Sequence, residues 1–589
     1  MRIATLNKDK CQSKRCNQEC ISYCPRVRSG DETVVMGENG KPIISEELCV
    51  GCGICVHKCP FDAIRIINLA EELEGELVQQ YGVNGFRLYR LPIPRPGEVV
   101  GMLGPNAIGK TTALKILSGQ EIPNLGNLDA TPTWEPVLEK YAGTELYNHL
   151  EKVANGKLTF SFKPQYVDML PRVHSGKVRQ LLEKVETVKD ITAVAAELDL
   201  NPCIDRDIGQ LSGGELQRVA IAATVLKDAD IYFFDEPSSY LDIYQRLKIA
   251  KVVQSLAEEK SVMVIEHDLA VLDFLADTVH LMYGSEGSYG VLAQPRTVRN
   301  AINTYLDGFL KEENVRIRDR PIKFEARAPR KDWAAISLVS FGQLRKDFAK
   351  FTLTTEPGAI KAGEVVGIVG PNATGKTTFV KILADEIKPD AGEIDANVKV
   401  SYKPQYIEPS FGGTVNELFM TELGNRMTTG FFKSEISTPL NMAPLQNREL
   451  KSLSGGELQR VAIALALGRE ADIYLIDEPS AYLDSNQRME AARTIRRVME
   501  KSGRSGMIVD HDVYFIDMVS DSIMVFSGEP SVSGKGEGPL GMREGMNLFL
   551  RNVDITFRRD NDTNRPRINK KDSRLDREQK SSGEFYYTE

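Results

Sequence analysis

The sequence predicts an α/β protein in which two nucleotide-binding modules of the P-loop type follow a small N-terminal α+β domain. The stretch LSGGELQRVAIA occurs twice, at Leu211–Ala222 and again at Leu453–Ala464. A loop of the form G-x-x-x-x-G-K-T precedes each copy, and an apolar segment ending in Asp-Glu-Pro follows each copy. In addition, eight of the nine cysteines lie before residue 60.

Length and composition limit the possible classes of protein. At roughly 150 residues per domain, the 589 residues suggest about four domains. No run approaches the roughly 18 to 20 apolar residues that a membrane helix needs. The N-terminus lacks the apolar core of a signal peptide, so we expect a cytoplasmic protein. The net charge of −8 gives no general nucleic-acid signal, although residues 1–30 carry seven Lys and Arg against two Asp and Glu.

The cysteines fall into two runs that each end in Cys-Pro. Such crowding without an export signal indicates metal binding rather than disulfides. The second run has the C-x2-C-x2-C-x3-C-P spacing of bacterial ferredoxins, with Cys49, Cys52, Cys55 and Cys59. The first run is spaced more loosely, with Cys11, Cys16, Cys20 and Cys24. Two structural zinc sites are the alternative, although these usually show paired C-x2-C knuckles.

Resemblance to two-cluster ferredoxins implies two [4Fe–4S] clusters, with the fourth cysteine of each run bound to the other cluster. Cys24 would then join Cys49, Cys52 and Cys55, and Cys59 would join Cys11, Cys16 and Cys20. The domain is too short for a secure core of its own. We therefore expect the clusters to hold it together rather than to carry electrons.

The two G-x-x-x-x-G-K-T loops predict two phosphate sites. Glycines let the backbone N–H groups point at the phosphates, and the following helix adds positive charge at its N-terminus. Lysine should reach the β- and γ-phosphates, and the first threonine should bind Mg²⁺. The predicted residues are Gly104, Asn106, Gly109, Lys110, Thr111 and Thr112 in the first module, and Gly370, Asn372, Gly375, Lys376, Thr377 and Thr378 in the second.

The order of these motifs resembles that of the ATP-binding cassette ATPases, and both modules carry the complete set. The resemblance implies that Gln165 and Gln405 sense Mg²⁺ and the γ-phosphate. Asp235 and Asp477 would hold the Mg²⁺. The catalytic residues would be two glutamates that polarise the attacking water and two switch histidines, namely Glu236, Glu478, His267 and His511.

In that family the modules are arranged head-to-tail, and the signature of one module completes the ATP site of the other. The resemblance therefore implies two composite sites. The first would combine Lys110, Asp235, Glu236 and His267 with Ser454 and Gly456. The second would combine Lys376, Asp477, Glu478 and His511 with Ser212 and Gly214. Many members have glycine where this chain has Ala107 and Ala373.

Three aromatic residues are candidates for stacking on adenine. Tyr81 and Phe86 lie upstream of the first phosphate loop, where the family stacks an aromatic ring. Phe341 has a similar place before the second loop. Tyr81 and Phe86 could equally be core residues.

The domain boundaries follow from these motifs. We expect an iron–sulfur domain at 1–75, module one at 76–300, a hinge at 301–330, module two at 331–534, and a second hinge with a tail at 535–589. Module one carries an insertion at about 130–156 that reads as two short helices joined at Ala142–Gly143. It is a candidate partner contact, or a solvated ornament. From Arg558 to Lys580 the mixed charge indicates a solvated tail, and we expect the final residues to be mobile.

The whole combination resembles the ribosome-recycling ATPases of archaea and eukaryotes, subfamily E of the cassette proteins, also called the RNase L inhibitor family. The short tail and hinges are typical of an archaeal member. The resemblance implies an ATPase that splits ribosomes beside a release factor of the Pelota or peptide-release type and then stays on the small subunit until hydrolysis. It also implies a monomer whose two modules act as a dimer. The alternatives are an ATP-coupled redox protein and the soluble ATPase of a transport complex.

Overall fold

The two repeats of the sequence form two separate sheets, each with a parallel centre. The structure, a computed structural model, describes the chain except residues 1, 9, 46–47, 69–70, 186–188, 319, 325–335, 396–397, 406–410 and 587–589. It divides into two compact units: unit 1 is Met1–Pro237, Lys251–His267 and Leu275–Asp319, and unit 2 is Ser238–Ala250, Asp268–Phe274 and Arg320–Glu589. Part of the predicted first hinge lies outside the described residues, and the predicted domain boundaries stay predictions.

The N-terminal domain of unit 1 has a small core between short elements. Its strands pair antiparallel, Arg2–Leu6 with Ile64–Asn68 and Val34–Met36 with Pro42–Ile44. Its helices are only about one turn long, at Glu19–Ser22, Pro25–Arg28 and Ile54–Lys58. The buried apolar side chains apart from cysteine are Ala4, Leu6, Val34, Ile44, Ala63 and Ile64. So small a core agrees with a domain that depends on its bound clusters.

The sheet of module one has buried, apolar central strands, as parallel strands with both faces covered do. Across the sheet the order is Leu77–Gln80, Arg87–Tyr89, Tyr289–Leu292, Thr278–Ser285, Val99–Leu103, Ser261–Ile265, Ile231–Asp235 and Phe160–Lys163, with Arg296–Thr297 paired to Thr278–Ser285. The helices of this part of the chain are Lys110–Leu117, Trp134–Tyr141, Tyr147–Ala154, Leu170–Val173, Val178–Glu183, Ile191–Glu197, Gly213–Leu226, Ile243–Ala257, Leu269–Leu275 and Val298–Asp307.

Three parallel strands of this sheet end beside the predicted site residues. Val99–Leu103 leads into the phosphate loop, Ile231–Asp235 ends at the acidic pair, and Ser261–Ile265 ends two residues before His267. Parallel strands present their carboxyl ends at one edge of a sheet, where α/β proteins bind ligands. The topology therefore gathers residues that are far apart in the sequence.

Unit 2 repeats this arrangement. Its main sheet runs Arg345–Phe348, Phe351–Thr355, Ser533–Gly541, Ser522–Ser527, Val365–Val369, Ser505–Val509, Ile473–Asp477 and Val400–Lys403, and a smaller sheet joins Gly358–Lys361, Ser337–Phe341 and Ile394–Asp395. The helices are Lys376–Leu383, Val415–Leu423, Gly455–Gly468, Ser485–Ser502, Val513–Val519, Met542–Asn552 and Arg574–Ser582. None of the helices in the described part of the chain combines the length and apolarity that crossing a bilayer requires.

The insertion of module one consists of two helices that pack on the core of the module. Trp134–Tyr141 and Tyr147–Ala154 are connected through Gly143, whose φ of 78° is the left-handed conformation that glycine adopts easily. Val137 and Leu150 are completely buried. A purely solvated ornament is therefore the wrong interpretation, because deleting these helices would expose the core. Only the outward side of the insertion is free to contact a partner.

The segment after residue 557 is folded, which corrects the expectation of a solvated tail. Strands Phe557–Arg559 and Pro566–Ile568 form a hairpin, and helix Arg574–Ser582 follows it. Tyr586 is buried, and the final residues 587–589, which the sequence predicts to be mobile, lie outside the described residues. The prediction from mixed charge was wrong because arginines of this segment form ion pairs within unit 2 instead of being solvated.

Asp273 is the centre of the most buried of these ion pairs. Its carboxylate accepts a hydrogen bond from Arg565 Nη1 at 2.9 Å and from Arg567 Nε and Nη2 at 2.7 and 2.9 Å. The side chains of Arg565 and Asp273 are only 0% and 2% exposed. Burial raises the pKa of Asp273, but the two arginines outweigh it and leave that pKa below its usual range.

We expect Asp273→Ala to lower the stability of unit 2 by about 3–5 kcal/mol, because it leaves buried guanidinium charge uncompensated. The measurement is the midpoint of urea unfolding followed by circular dichroism. Glu578→Ala is the control: its partner Arg574 is 88% exposed, so the change should cost under about 0.5 kcal/mol. The difference between wild type and Asp273→Ala should shrink below about pH 4, as Asp273 becomes protonated. Equal effects of the two variants would contradict this account.

Candidate functional site

The eight N-terminal cysteines surround two cavities and are divided between them in a crossed manner. The first cavity is lined by Cys11, Cys16, Cys20 and Cys59. The second is lined by Cys24, Cys49, Cys52 and Cys55. Each set thus combines three cysteines of one run with the fourth of the other run, which is the grouping that the resemblance to two-cluster ferredoxins implies.

The electrostatics of these thiols fit an iron–sulfur cluster. Burial, and then the neighbouring thiols Cys59 and Cys16, raise the pKa of Cys20 to about 11. Burial, followed by Cys49 and Cys52, raises the pKa of Cys55 to about 12. Thiolates this close repel one another unless a positive centre lies among them. Bound iron supplies that centre.

The first phosphate loop connects a buried strand to helix Lys110–Leu117. Lys110 Nζ donates hydrogen bonds to the carbonyl oxygens of Gly104 at 2.8 Å and Pro105 at 2.6 Å, which holds its ammonium group inside the loop. Gly109 has a φ of 92°, and a Cβ there would lie 2.8 Å from the ring of Phe86. A side chain is thus excluded at Gly109 both by conformation and by space.

The alanines at the fourth position of each loop adopt a conformation that favours glycine. Ala107 has a φ of 55° and Ala373 a φ of 58°. A non-glycine residue pays roughly 1–2 kcal/mol in this region. This explains why many cassette proteins have glycine here, and it shows that the alanines keep the loop conformation rather than change it.

The acidic pair of module one meets the phosphate loop and the glutamine that the sequence predicted. Thr111 Oγ1 donates to Asp235 Oδ2 at 2.8 Å. Gln165 Nε2 donates to Glu236 Oε1 at 2.7 Å. His267 Nε2 lies 3.6 Å from the same oxygen of Glu236. The structure therefore brings the predicted Mg²⁺ ligands, the glutamate and the histidine close together in module one.

Module two repeats these contacts almost atom for atom. Thr377 Oγ1 donates to Asp477 Oδ2 at 2.7 Å, and Gln405 Nε2 donates to Glu478 Oε1 at 2.7 Å. His511 Nε2 again lies 3.6 Å from the glutamate. Lys376 Nζ donates to the carbonyl oxygens of its own loop, at 3.0 and 2.6 Å. The two sites are built to the same plan.

Burial makes the acidic pairs suitable for a divalent cation. Burial, and then the charge of Glu236, raise the pKa of Asp235 to about 6. Burial, and then the charge of Asp477, raise the pKa of Glu478 to about 7. Their ionised forms are costly until a cation offsets the repulsion. The hydroxyl, amide and carboxylate oxygens around each pair are the hard ligands that Mg²⁺ prefers.

The remaining predicted nucleotide-binding residues lie at the two loops and at the signature helices. Thr112 and Thr378 are in the first turn of the helix after each loop, and Asn106 and Asn372 lie within the loops. Asn372 donates its backbone N–H to Asp242 Oδ2 at 2.9 Å within unit 2.

The signature serines cap the helices that follow them. Ser212 accepts a hydrogen bond from the backbone N–H of Glu215, whose carboxylate accepts from the backbone of Ser212 in return. Ser454 and Glu457 form the same capping box. A capping box fixes the first turn of a helix and leaves the glycines Gly214 and Gly456 in it. The N–H groups of that turn can thus bind an anion.

Phe341 does not have the place that the sequence predicted. It is 3% exposed, belongs to the core of module two and makes an edge contact with Phe379 at 5.3 Å. The prediction that it stacks on adenine is wrong, because the core covers its ring.

The counterparts of Tyr81 and Phe86 are instead Phe348 and Phe351. Both pairs have ring centroids 6.4 Å apart and planes tilted by 33°. Phe351 also lies against the loop glycine Gly375, as Phe86 lies against Gly109. The clue was available in the sequence as an aromatic pair before each loop. An adenine-stacking role stays a prediction for Tyr81 and Phe86, and extends to this second pair.

The comparison with known proteins decides the family. The ABC transporter family matches residues 94–239 and 357–481, the possible Fer4-like domain in RNase L inhibitor matches residues 1–32, and the 4Fe-4S binding domain matches residues 42–65. Translation initiation factor RLI1 of Saccharomyces cerevisiae is 44% identical, covering 100% of this chain and 98% of that protein. The chain belongs to the RNase L inhibitor family.

Two solved structures of this family support the fold over most or all of the chain. A model of ribosome-bound archaeal Pelota and ABCE1 has a TM-score of 0.94 at 53% identity and covers 100% of this chain and 99% of that one. The complex of archaeal ribosomal stalk protein aP1 with the archaeal ribosome recycling factor aABCE1 has a TM-score of 0.84 at 52% identity, covering 88% of this chain and 100% of that one.

These matches confirm several predictions. The fold is that of two cassette ATPase modules behind a ferredoxin-like domain, and the chain is an ATPase that uses ATP with Mg²⁺. Its cysteine domain binds [4Fe–4S] clusters, so the zinc alternative is wrong. The assignment of individual cysteines and of catalytic roles stays a prediction.

We expect paired substitutions to reveal the crossed cysteine arrangement. Cys24→Ala with Cys52→Ala removes two ligands of the same cavity and should cost about half of the bound iron, since each cavity holds one cluster. Cys24→Ala with Cys20→Ala, two cysteines of one run, should cost nearly all of it. Iron is measured by colorimetric assay and the clusters by absorption. The reverse result, with the same-run pair losing only half, would contradict the crossed arrangement.

Proposed function

We propose that this protein is an ATP-driven ribosome recycling factor that splits ribosomes into subunits after termination or rescue. The match over the full chain to a ribosome-bound relative is the observation that carries the proposal. The relative crystallised with the stalk protein is itself described as a recycling factor. On this proposal the partners are the small subunit and a release factor of the Pelota or peptide-release type.

The catalytic work falls on the same residues in both modules. Glu236 and Glu478 place a carboxylate oxygen where it can accept a proton from the attacking water and orient it. Gln165 and Gln405 hold that oxygen by a hydrogen bond of 2.7 Å. When bound, Mg²⁺ offsets the charge of the phosphates and of the buried carboxylates. Because neither module lacks a member of this set, both sites should hydrolyse ATP.

The switch histidines and signature serines complete the proposed cycle. His267 and His511 lie beside the glutamates and would contact the γ-phosphate. Ser454 with Gly456 would complete the first site, and Ser212 with Gly214 the second. ATP then holds the two modules together, and hydrolysis releases them.

The iron–sulfur domain is fastened to module one in a way that suits this role. Asn84 is buried, its side-chain oxygen accepts from the N–H of Ile44 and its amide donates to the carbonyl of Ile44, both at 2.7 Å. Its own carbonyl accepts from the N–H of Leu6 at 3.1 Å. The domain should therefore move together with this module. Movement of the module can then push the domain against a bound factor.

The decisive experiment is sedimentation of the Glu236→Gln, Glu478→Gln variant with ribosomal subunits, with and without ATP. Removing both carboxylates should trap the ATP-bound form, because water is no longer polarised. We expect ATP-dependent migration with the small subunit. Lys110→Ala with Lys376→Ala is the control, since it removes the phosphate contacts and should abolish that migration.

Failure of the trapped variant to associate with either subunit, while it still binds ATP and keeps its iron, would contradict the recycling function. An ATPase that then responded to the redox state of the clusters would favour the redox alternative. Co-purification with a membrane protein would favour the transport alternative.

The outward side of the insertion is the proposed ribosome contact on module one. Lys152 and Lys157 are exposed and positively charged, so they can reach RNA phosphates. We expect Lys152→Glu with Lys157→Glu to weaken binding to ribosomal subunits and to make the remaining binding less sensitive to salt, because fewer phosphate contacts are left, while basal ATPase stays unchanged. Glu135→Lys with Glu139→Lys, on the other helix, is the control with the opposite change of charge, and it should not weaken subunit binding. Unchanged subunit binding by the lysine variant would contradict this contact.

A further inference from the structure

The two proposed catalytic glutamates have an unusual backbone conformation. Glu236 has a φ of 48° and Glu478 a φ of 46°. This is the left-handed region, which side chains other than glycine rarely adopt and which persists only where the surroundings enforce it. Each glutamate follows directly after a completely buried strand. Some neighbouring group must therefore hold the chain in this turn.

In module one, two side chains donate to the carbonyl oxygens at this turn. Lys163 Nζ donates to the carbonyl of Asp235 at 2.8 Å and to that of Glu236 at 3.1 Å. Gln217 Nε2 donates to the carbonyl of Glu236 at 2.7 Å. Lys163 ends the neighbouring parallel strand, and Gln217 belongs to the signature helix. The turn is thus held from two different elements.

Module two has the same pair of donors. Lys403 Nζ donates to the carbonyl of Asp477 at 2.7 Å, and its second hydrogen bond goes to the carbonyl of Pro404 at 3.0 Å. Gln459 Nε2 donates to the carbonyl of Glu478 at 2.7 Å. The repeat in an independent copy indicates that the arrangement is specific, because nothing in the sheet itself requires a lysine there.

Burying a lysine at this position costs desolvation free energy, which its hydrogen bonds and ion pairs must offset. The side chains of Lys163 and Lys403 are almost completely buried, at 0% and 1% exposure. An apolar side chain would fill the space without the desolvation of an ammonium group. Lysine offers what an apolar side chain lacks: several donors at the end of a long stem, and a charge that compensates the acidic pair.

We propose that Lys163 with Gln217, and Lys403 with Gln459, are positioning residues that lock the backbone of Glu236 and Glu478 in the left-handed turn from which their carboxylates reach the attacking water. The Lys-Pro-Gln segment then controls the glutamate at two points, since Lys163 holds its carbonyl and Gln165 its carboxylate. This inference rests on the proposed role of the glutamates.

The test is a double-mutant cycle on the ATPase reaction. In a Glu478→Gln background, which leaves the first glutamate as the active one, Lys163→Met should lower kcat about 10²-fold, as misplacement of a catalytic group does. KM should stay unchanged, since the phosphate contacts are intact. When Glu236→Gln is also present in this Glu478→Gln background, adding Lys163→Met should cause no further fall in kcat, because the lysine acts through the glutamate.

Ser161→Ala is the matched control on the same strand. Its buried hydroxyl donates to the carbonyl of Thr224 at 2.8 Å, away from the glutamate, so the substitution should lower the melting temperature without lowering kcat. If Lys163→Met fails to fold, Gln217→Met removes the other donor to the Glu236 carbonyl and should lower kcat in the same selective way. The mirror set uses Lys403→Met in a Glu236→Gln background.

The outcomes separate the two claims. If Glu236→Gln leaves kcat unchanged in the Glu478→Gln background, the proposed role of the glutamate fails. If Glu236→Gln abolishes turnover but neither Lys163→Met nor Gln217→Met lowers kcat, only the positioning role is overturned. The positioning role would also be overturned if Lys163→Met lowered kcat by the same factor with and without Glu236→Gln, or if Lys163→Met raised KM in parallel.

Discussion

Two carboxylates side by side at the end of a buried strand are the constraint on which the rest of each module depends. Asp235 and Glu236 are adjacent in the chain, and burial, followed by the charge of Glu236, raises the pKa of Asp235. Threonine, glutamine and lysine side chains surround the pair and donate to it from three different elements. The phosphate loop, the strand order and the signature helix together hold this negative charge beside the phosphate loop, where a divalent cation can bind between the carboxylates and the phosphates.

The N-terminal domain differs from the modules in what holds it together. It has few apolar side chains to bury, and six of its eight cysteines lie in that small core or pack against it. The crossed grouping connects the beginning of the domain to its end, because Cys59 joins the cavity of the first run and Cys24 that of the second. Clusters held in this way act as cross-links. Asn84 then connects the finished domain to module one through three hydrogen bonds.

The sequence was most informative where a function needs several residues at fixed spacing. The phosphate loops, the acidic pairs, the glutamines and the histidines were all recognisable, since each follows a strand or begins a helix. Phe341 was misjudged because burial depends on the face of the strand: in Ser337–Phe341 it shares the buried face with Val339. No local pattern distinguishes that face from one that meets a ligand.

Contacts between distant residues could not be predicted in this way. Lys163 meets the glutamate 73 positions later, and Arg565 meets Asp273 across 292 positions. The twofold occurrence of Lys-Pro-Gln was a usable signal for the lysine, since a buried strand has no intrinsic need for one. The mixed charge of the terminal segment gave no such signal, because ion pairs and solvated charges have the same composition.

The ion pair of Asp273 also bears on how the protein is made. Asp273 and Tyr514 are synthesised before the hairpin that carries Arg565, and Arg565 donates hydrogen bonds to both of them. Until that hairpin has been made, both partners lack the guanidinium group that they contact in the folded protein. Unit 2 therefore reaches its final packing only after this hairpin has left the ribosome. Its assembly is a late event of synthesis rather than a gradual one.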